Sequence, residues 1–372
     1  MPKERTRRRA AIEPVVTASL APQMAELVPH LPAAIFSSAA VTRLHRAAEG
    51  LFPTSGVGFE ARLGGDTSDV DLCVRVIPED GSAAILGGWH DRHTLSASLQ
   101  ADPYWQRLVR LSRLLWIADD ALLRPFVQRF GLEIDNRDLE TTQPSIVFFD
   151  LLDRGGPNSA GLVKVVTDIV LPLALERGLN KDQRQRIVAV AAAAAPFARL
   201  RHVGAPLRRS DSVVRLVFWL PVARVGACLA AMGVANRAAA IRADLAAVAS
   251  GLSEVALQVD IAERLGPRIG VELHPGEGEI WAGLLKQLAI RNLCSIEKAV
   301  ALASWQRAPA ELQQPGSAAN YSGLVPDDPA RLGEGLPMRL LSHAKLSYQP
   351  DGSQDAKVYL YAGFLWRRPG AP

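Results

Sequence analysis

Five pairs of short segments, each alternating apolar and polar residues, recur along the chain at 57–63 with 69–77, 130–136 with 145–152, 200–206 with 212–220, 254–262 with 267–274, and 340–349 with 356–364. Side chains on a strand point to opposite faces with a period of two, so each segment is predicted to be a strand with one greasy and one polar side. In 69–77, Val70, Leu72, Val74 and Val76 alternate with Asp71, Cys73 and Arg75. The last pair repeats the pattern: Ala344, Leu346, Tyr348 and Val358, Leu360, Ala362, Phe364 stand against His343, Lys345, Ser347 and Lys357, Tyr359, Tyr361, Gly363. A parallel, doubly wound sheet is disfavoured, because its strands would be apolar on both faces.

Helical patterns separate the pairs, at 21–49 with an interruption at Pro32, 104–118, 160–177, 181–199, 222–232, 236–250, 279–293 and 295–305. In 104–118 the stripe Trp105, Leu108, Leu111, Leu115 and Ile117 opposes Arg107, Arg110 and Arg113, as in a helix laid on an apolar layer. A Pro-, Gly- and Ser-rich loop is expected from 309 to 337. If helices cover the apolar faces and the sheet closes, its exposed edges disappear and its polar faces line a lumen. The predicted fold is therefore α+β, an antiparallel ten-stranded β-barrel surrounded by helices and built from five αββα-type repeats. With 372 residues, 48% of them hydrophobic, 21–372 can form a single domain behind a basic, flexible tail at 1–20.

Lys3, Arg5, Arg7, Arg8 and Arg9 account for the formal charge of +4, leaving a nearly neutral body and no expectation of nucleic-acid binding. Ala10-Ala11-Ile12 meets Glu13-Pro14 too soon for a signal peptide, and no apolar run is long enough for a membrane span. The cysteines Cys73, Cys228 and Cys294 are unpaired in spacing, which suits a reducing cytoplasm and excludes a thiolate zinc cluster. No metal-binding histidine pair, phosphate-cradling glycine loop or nucleophile elbow occurs, and no metal site is expected.

The repeated helix–strand–strand–helix order resembles the ABBA prenyltransferases, the PT-barrel family. Gly58-Phe59-Glu60 resembles the place where indole prenyltransferases of that family carry a glutamate that accepts the indole N–H. Arg75 resembles a diphosphate-binding arginine, Arg215-Leu216-Val217-Phe218-Trp219 a strand of alternating basic and aromatic residues, and Lys357-Val358-Tyr359 the recurring Lys-x-Tyr element. The resemblance implies metal-independent transfer of a prenyl group from a prenyl diphosphate co-substrate to an aromatic acceptor, with no cofactor. Similarity to bacterial proteins found with peptide natural-product enzymes makes a peptide-borne acceptor a further expectation.

Such a transfer requires a grip on diphosphate, a shield for an allylic cation and a base. Arg75, Arg215, Lys345 and Lys357 are the expected diphosphate ligands, since cations facing developing charge in a dry site act strongly. Trp219, Tyr359 and Tyr361 are the expected cation shield, and Glu60 the expected base with Glu272 and His274 behind it. The second and fourth pairs depart from the family pattern by carrying Glu133, Asp135, Asp260 and Glu272, which repel diphosphate unless they turn away or pair with arginines. Two other readings stand beside this one. Leu63-Gly64-Gly65-Asp66-Thr67-Ser68-Asp69-Val70-Asp71 resembles the signature of polymerase-β-like nucleotidyltransferases, with Asp69 and Asp71 as the metal carboxylates. The mixed charge of the polar faces suits a non-catalytic barrel that binds a peptide or lipid for a partner enzyme.

Overall fold

The computed structural model describes residues 16–65, 69–117, 123–152, 160–208, 213–262, 265–276, 279–305 and 321–368. Its centre is a run of ten strands: β1 (Gly56–Arg62), β2 (Val70–Val76), β3 (Val127–Ile134), β4 (Ile146–Leu151), β5 (Arg199–Pro206), β6 (Val214–Pro221), β7 (Glu254–Ile261), β8 (Leu265–Leu273), β9 (Leu336–Tyr348) and β10 (Gln354–Arg367). Each strand pairs antiparallel with the next, and β10 pairs with β1 from Lys357↔Arg62 to Gly363↔Gly56, closing the barrel. The alternation read in the sequence fixes which way it closes. Phe59, Leu72, Leu132, Phe149, Leu216, Leu257, Val271, Leu346 and Leu360 lie on the outer face and are buried under helices. Fully burying each such side chain contributes about 1.5–3 kcal/mol, and a slip of one residue would turn a whole strand inside out.

The covering helices are α1 (Ser38–Gly50), α2 (Pro103–Trp116), α3 (Lys181–Ala194), α4 (Ala235–Val248), α5 (Glu279–Ile290) and α6 (Ile296–Ala303), with shorter turns between them. Local chemistry sets their starts. The Asp102 carboxylate accepts from the Tyr104 and Trp105 amides at 2.8 and 3.3 Å, with Pro103 opening α2. Ser37, Asn180 and Ser295 cap α1, α3 and α6 in the same way. α2 buries Trp105, Leu108, Leu111 and Leu115 of the stripe its spacing predicts, while Ile117, just past the helix end, is exposed. Lys298 of α6 reaches the Arg62 and Gly65 carbonyls at 2.9 and 2.7 Å and so pins the start of the β1–β2 turn.

Several boundaries differ from the sequence reading, each for a local reason. The helix expected at 21–49 divides into Ala21–Leu27, a 3-10 turn at Val28–His30, and α1. Leu31 is already extended because the following Pro32 disfavours the helical conformation. The helix expected at 160–177 passes through a wide turn at Val166–Val170 and ends at Leu175. The loop expected at 309–337 contributes a two-residue strand, Tyr321–Ser322, on the end of β10, and a 3-10 turn at Pro329–Glu334. The closing hairpin is correspondingly longer than 340–349 and 356–364. Its pairing slips between Leu341 and His343, so the bulge at Ser342 leaves Leu341 opposite the outward Leu360 while His343 turns into the lumen opposite Tyr359. The expected basic tail at 1–20 lies outside the described residues up to 15, and the short strand Val16–Thr17 pairs with His93–Thr94.

Candidate active site in the barrel lumen

The inward faces build two chambers of about 350 Å³ each, with Glu133 and Lys345 lining both. The chamber nearer the β1–β2 and β7–β8 turns is charged: Glu60, Arg62, Asp71, Arg215, Arg268 and Lys357 complete most of its wall. The other chamber is more aromatic, with Phe148, Trp219, His274, His343 and Tyr359 beside Arg75 and Glu272.

Register explains the charged chamber. Tyr359, Glu60 and Asp71 stand side by side on β10, β1 and β2, and Lys357 lies opposite both Arg62 and Lys345. Two lysines directly opposite each other repel, so a carboxylate nearby is needed. Glu60 meets that need: Lys357 Nζ donates to its Oε1 and Tyr359 Oη to its Oε2, which occupies both carboxylate oxygens. Burial alone would raise the Glu60 carboxyl, but the Lys357 and Lys345 ammoniums and these two hydrogen bonds hold it well below the usual range. Asp71 has the opposite fate, pushed up by burial and by the charges of Glu60 and Glu133, although the Asn136 amide donates to it at 2.7 Å. The Glu60, Asp71 and Glu133 oxygens lie within 4.8 Å of one another, a spacing that suits a cation. The Lys357 ammonium supplies a positive charge to Glu60 in this cluster.

Arg215 is also pre-paired. Its guanidinium forks onto Asp260 at 2.8 and 3.3 Å, directly across β6 and β7, and Arg268 shares the same carboxylate at 3.9 Å. Asp260, one of the two carboxylates on the fourth strand pair, is thus matched to an arginine, one of the arrangements that the departure from the family pattern requires. Both partners are buried, so Asp260→Ala, by stranding Arg215, is expected to lower stability by about 3–5 kcal/mol in urea unfolding. Lys345 differs: among the described residues no hydrogen bond or ion pair holds its ammonium, although the side chain is only 2% exposed. Burial, and then the charge of Arg215, push it down to about 8. Gly270 makes this placement possible, because a Cβ there would come within 2.9 Å of Lys345 Cε.

The aromatic chamber contains a ladder of rings, Trp219–His274 at 4.7 Å, His274–His343 at 4.7 Å and His343–Tyr359 at 4.0 Å. Trp219 sits opposite the small Ala256 of β7, which lets it reach across to the end of β8. Glu272 lies 3.7 Å from His274 and 3.9 Å from His343. Burial pushes His343 down to about 3, so its imidazole is neutral at working pH. Stacking covers one face each of Trp219 and Tyr359. Tyr361 carries the Arg75 guanidinium 4.5 Å from its centroid and lines neither chamber. Its ring crosses Gly56, where a Cβ would fall 2.0 Å from the phenolic oxygen.

The residues singled out in the sequence therefore divide. Glu60, Arg215, Lys345 and Lys357 share the charged chamber, whereas Arg75, Trp219, Glu272, His274 and Tyr359 line the other. Arg75 lies apart from Arg215 and Lys357, shares only the aromatic chamber's wall with Lys345, and does not pair with Asp71. Sequence reading missed Phe148, whose ring lies 5.8 Å below Arg215, and the role of His343 in the ladder. Phe148 shares strand parity with Asp150, the signal that would have placed it inside. The nucleotidyltransferase reading does not survive: Asp69 pairs with Arg62 at the barrel mouth, Asp71 is walled in with Glu60, and a closed antiparallel barrel is not that architecture.

Fold and lumen together define a PT barrel, the fold of the ABBA prenyltransferases. The apo crystal structure of the prenyltransferase PriB matches with a TM-score of 0.52 at 13% identity, over 93% of this chain and 96% of that one. PriB in a ternary complex with L-tryptophan and dimethylallyl thiolodiphosphate gives 0.48 at 12% identity over 95% and 100%, and AnaPT from Neosartorya fischeri 0.45 at 12% over 95% and 93%. No family profile and no curated protein matches the chain. Among the described residues, no helix is long and apolar enough to cross a membrane.

Proposed function

We propose that the chain transfers a prenyl group from a prenyl diphosphate to an aromatic acceptor, an indole or a peptide-borne aromatic side chain, without a metal ion. The observation that carries this reading is the unpartnered, buried Lys345 ammonium at the junction of a cationic chamber and an aromatic one. A diphosphate seated by Lys345, Arg215 and Lys357 would direct its allylic carbon toward the ladder. Arg75, expected from sequence to join them, instead faces the acceptor's side. The allylic C–O bond breaks with its electron pair leaving on diphosphate. An acceptor ring carbon supplies the pair for the new C–C bond, and the proton it loses passes to Glu60, with Glu272 and His274 as the other expected acceptors. The rims of Trp219 and Tyr359 and the neutral His343 exclude water while the cation exists, each aromatic contact contributing on the order of 0.5–2 kcal/mol. The three lysine and arginine side chains supply the positive charge for which other phosphoryl-handling enzymes use metal. Free thiols at Cys73, Cys228 and Cys294 support a cytoplasmic setting.

Incubation with tryptophan, tyrosine and peptides containing them, and with C5 to C15 prenyl diphosphates, should give acceptor mass increases of one prenyl unit, unchanged by EDTA. No addition with any donor, or a strict need for divalent metal, contradicts the proposal. Because Lys357 and Arg215 each have a carboxylate partner within the protein, a ligand-binding barrel that serves a partner enzyme is the second reading. Saturable binding of a peptide or lipid with no turnover would favour it.

A further inference from the structure

Lys357 holds two positions in the proposed reaction that it cannot hold at once. As a diphosphate ligand it must face the donor, yet its ammonium caps Glu60. Around Glu60 stand Arg62 on its own strand, Asp71 on β2, Glu133 on β3, Lys345 on β9, and Lys357 and Tyr359 on β10. With a hydrogen bond on each oxygen and its charge matched by Lys357, Glu60 is a weak base toward an acceptor proton. The neighbouring Lys345 has no bond to break and can meet an incoming anion first.

Resting on the prenyl-transfer reading, we propose that Lys357 is a positioning residue shared between donor and base: the donor diphosphate draws it away from Glu60, and Glu60 becomes a competent base only once the donor is in place. Donor binding then precedes productive acceptor binding, and the empty enzyme is kept from deprotonating an acceptor that it cannot alkylate. Lys357 is suited to the exchange because it lies directly opposite Lys345 across β9 and β10, so one anion can bridge both ammoniums. The exchange also relieves their mutual repulsion.

The test is carboxyl-carbon NMR on the full chain labelled at glutamate, with the Glu60 resonance assigned by its loss in Glu60→Gln and inorganic pyrophosphate as the anion, its binding followed by phosphorus NMR. In wild type the Glu60 midpoint should rise by about 1–3 pH units when pyrophosphate binds, the span that loss of an adjacent opposite charge produces. Lys357→Met should show the raised midpoint without pyrophosphate and little further response, and Lys357→Arg should restore the response. Pyrophosphate that binds wild type without moving Glu60 overturns the exchange alone and leaves the donor site standing. An equal response in Lys357→Met also overturns it, since the anion's own charge would then be acting on Glu60. If pyrophosphate does not bind the folded wild type at all, the exchange and the donor site fall together.

Discussion

Glu60→Gln should lower the rate of prenyl transfer by about 100- to 10,000-fold, the range that a positioned general base contributes. Glutamine is the informative replacement because its amide oxygen still accepts from Lys357 or Tyr359, so the wall of the chamber remains packed while the base is removed. Donor binding should persist, because Lys345 and Arg215 are untouched and Lys357 is no longer drawn to a carboxylate. Steady-state kinetics should thus show the loss in kcat with the donor KM unchanged or lower. A variant within a few-fold of wild type would move the base to Asp71, the cross-strand neighbour of Glu60, or to Glu272, beside the two histidines of the ladder.

The second large effect belongs to Lys345→Met. A charge-assisted hydrogen bond to phosphate contributes about 1.5–3 kcal/mol, so donor affinity should fall roughly 10- to 150-fold. Wild-type affinity should itself fall as pH rises through about 8, where Lys345 loses its proton, and the methionine variant should lack that step. The stability effect has the opposite sign. The folded state disfavours the charged form, so between about 8 and the ordinary lysine value the unfolded chain binds more protons, and stability gains with rising pH. Below about 8 the full penalty of a buried, unpartnered ammonium is present. Lys345→Met should therefore be more stable than wild type at pH 7 in urea unfolding while binding donor worse, the usual relation at a site where function opposes stability. A variant that is less stable would show Lys345 to be a structural residue.

The barrel was readable from the chain because period-two alternation repeats at every strand, and burial of Phe59, Leu72 or Leu360 overrides any other choice of face. The site was readable only in its residue types. That Lys357 would cap Glu60 depends on closure between the first and last strands, 297 residues apart, which no local pattern specifies. The histidine ladder depends on a bulge at Ser342 and on a small residue at Ala256, each innocuous when read along its own strand. Arg75 had the right type and the right face, yet its height along β2 sets it against Tyr361, because parity fixes the face of a strand and not the level within a barrel. Asp260, one of the carboxylates read as repelling diphosphate, is the countercharge of two arginines, and Glu60, read as the base, serves a lysine in the same way.

Equilibrium titration with dimethylallyl thiolodiphosphate, a donor analogue, addresses the lumen most directly. One saturable site per chain is expected, competed by inorganic pyrophosphate, indifferent to EDTA, weakened above pH 8 and weakened by Lys345→Met. A folded protein that shows no saturable binding, or binding unaffected by the Lys345 substitution, would contradict a donor site in the charged chamber.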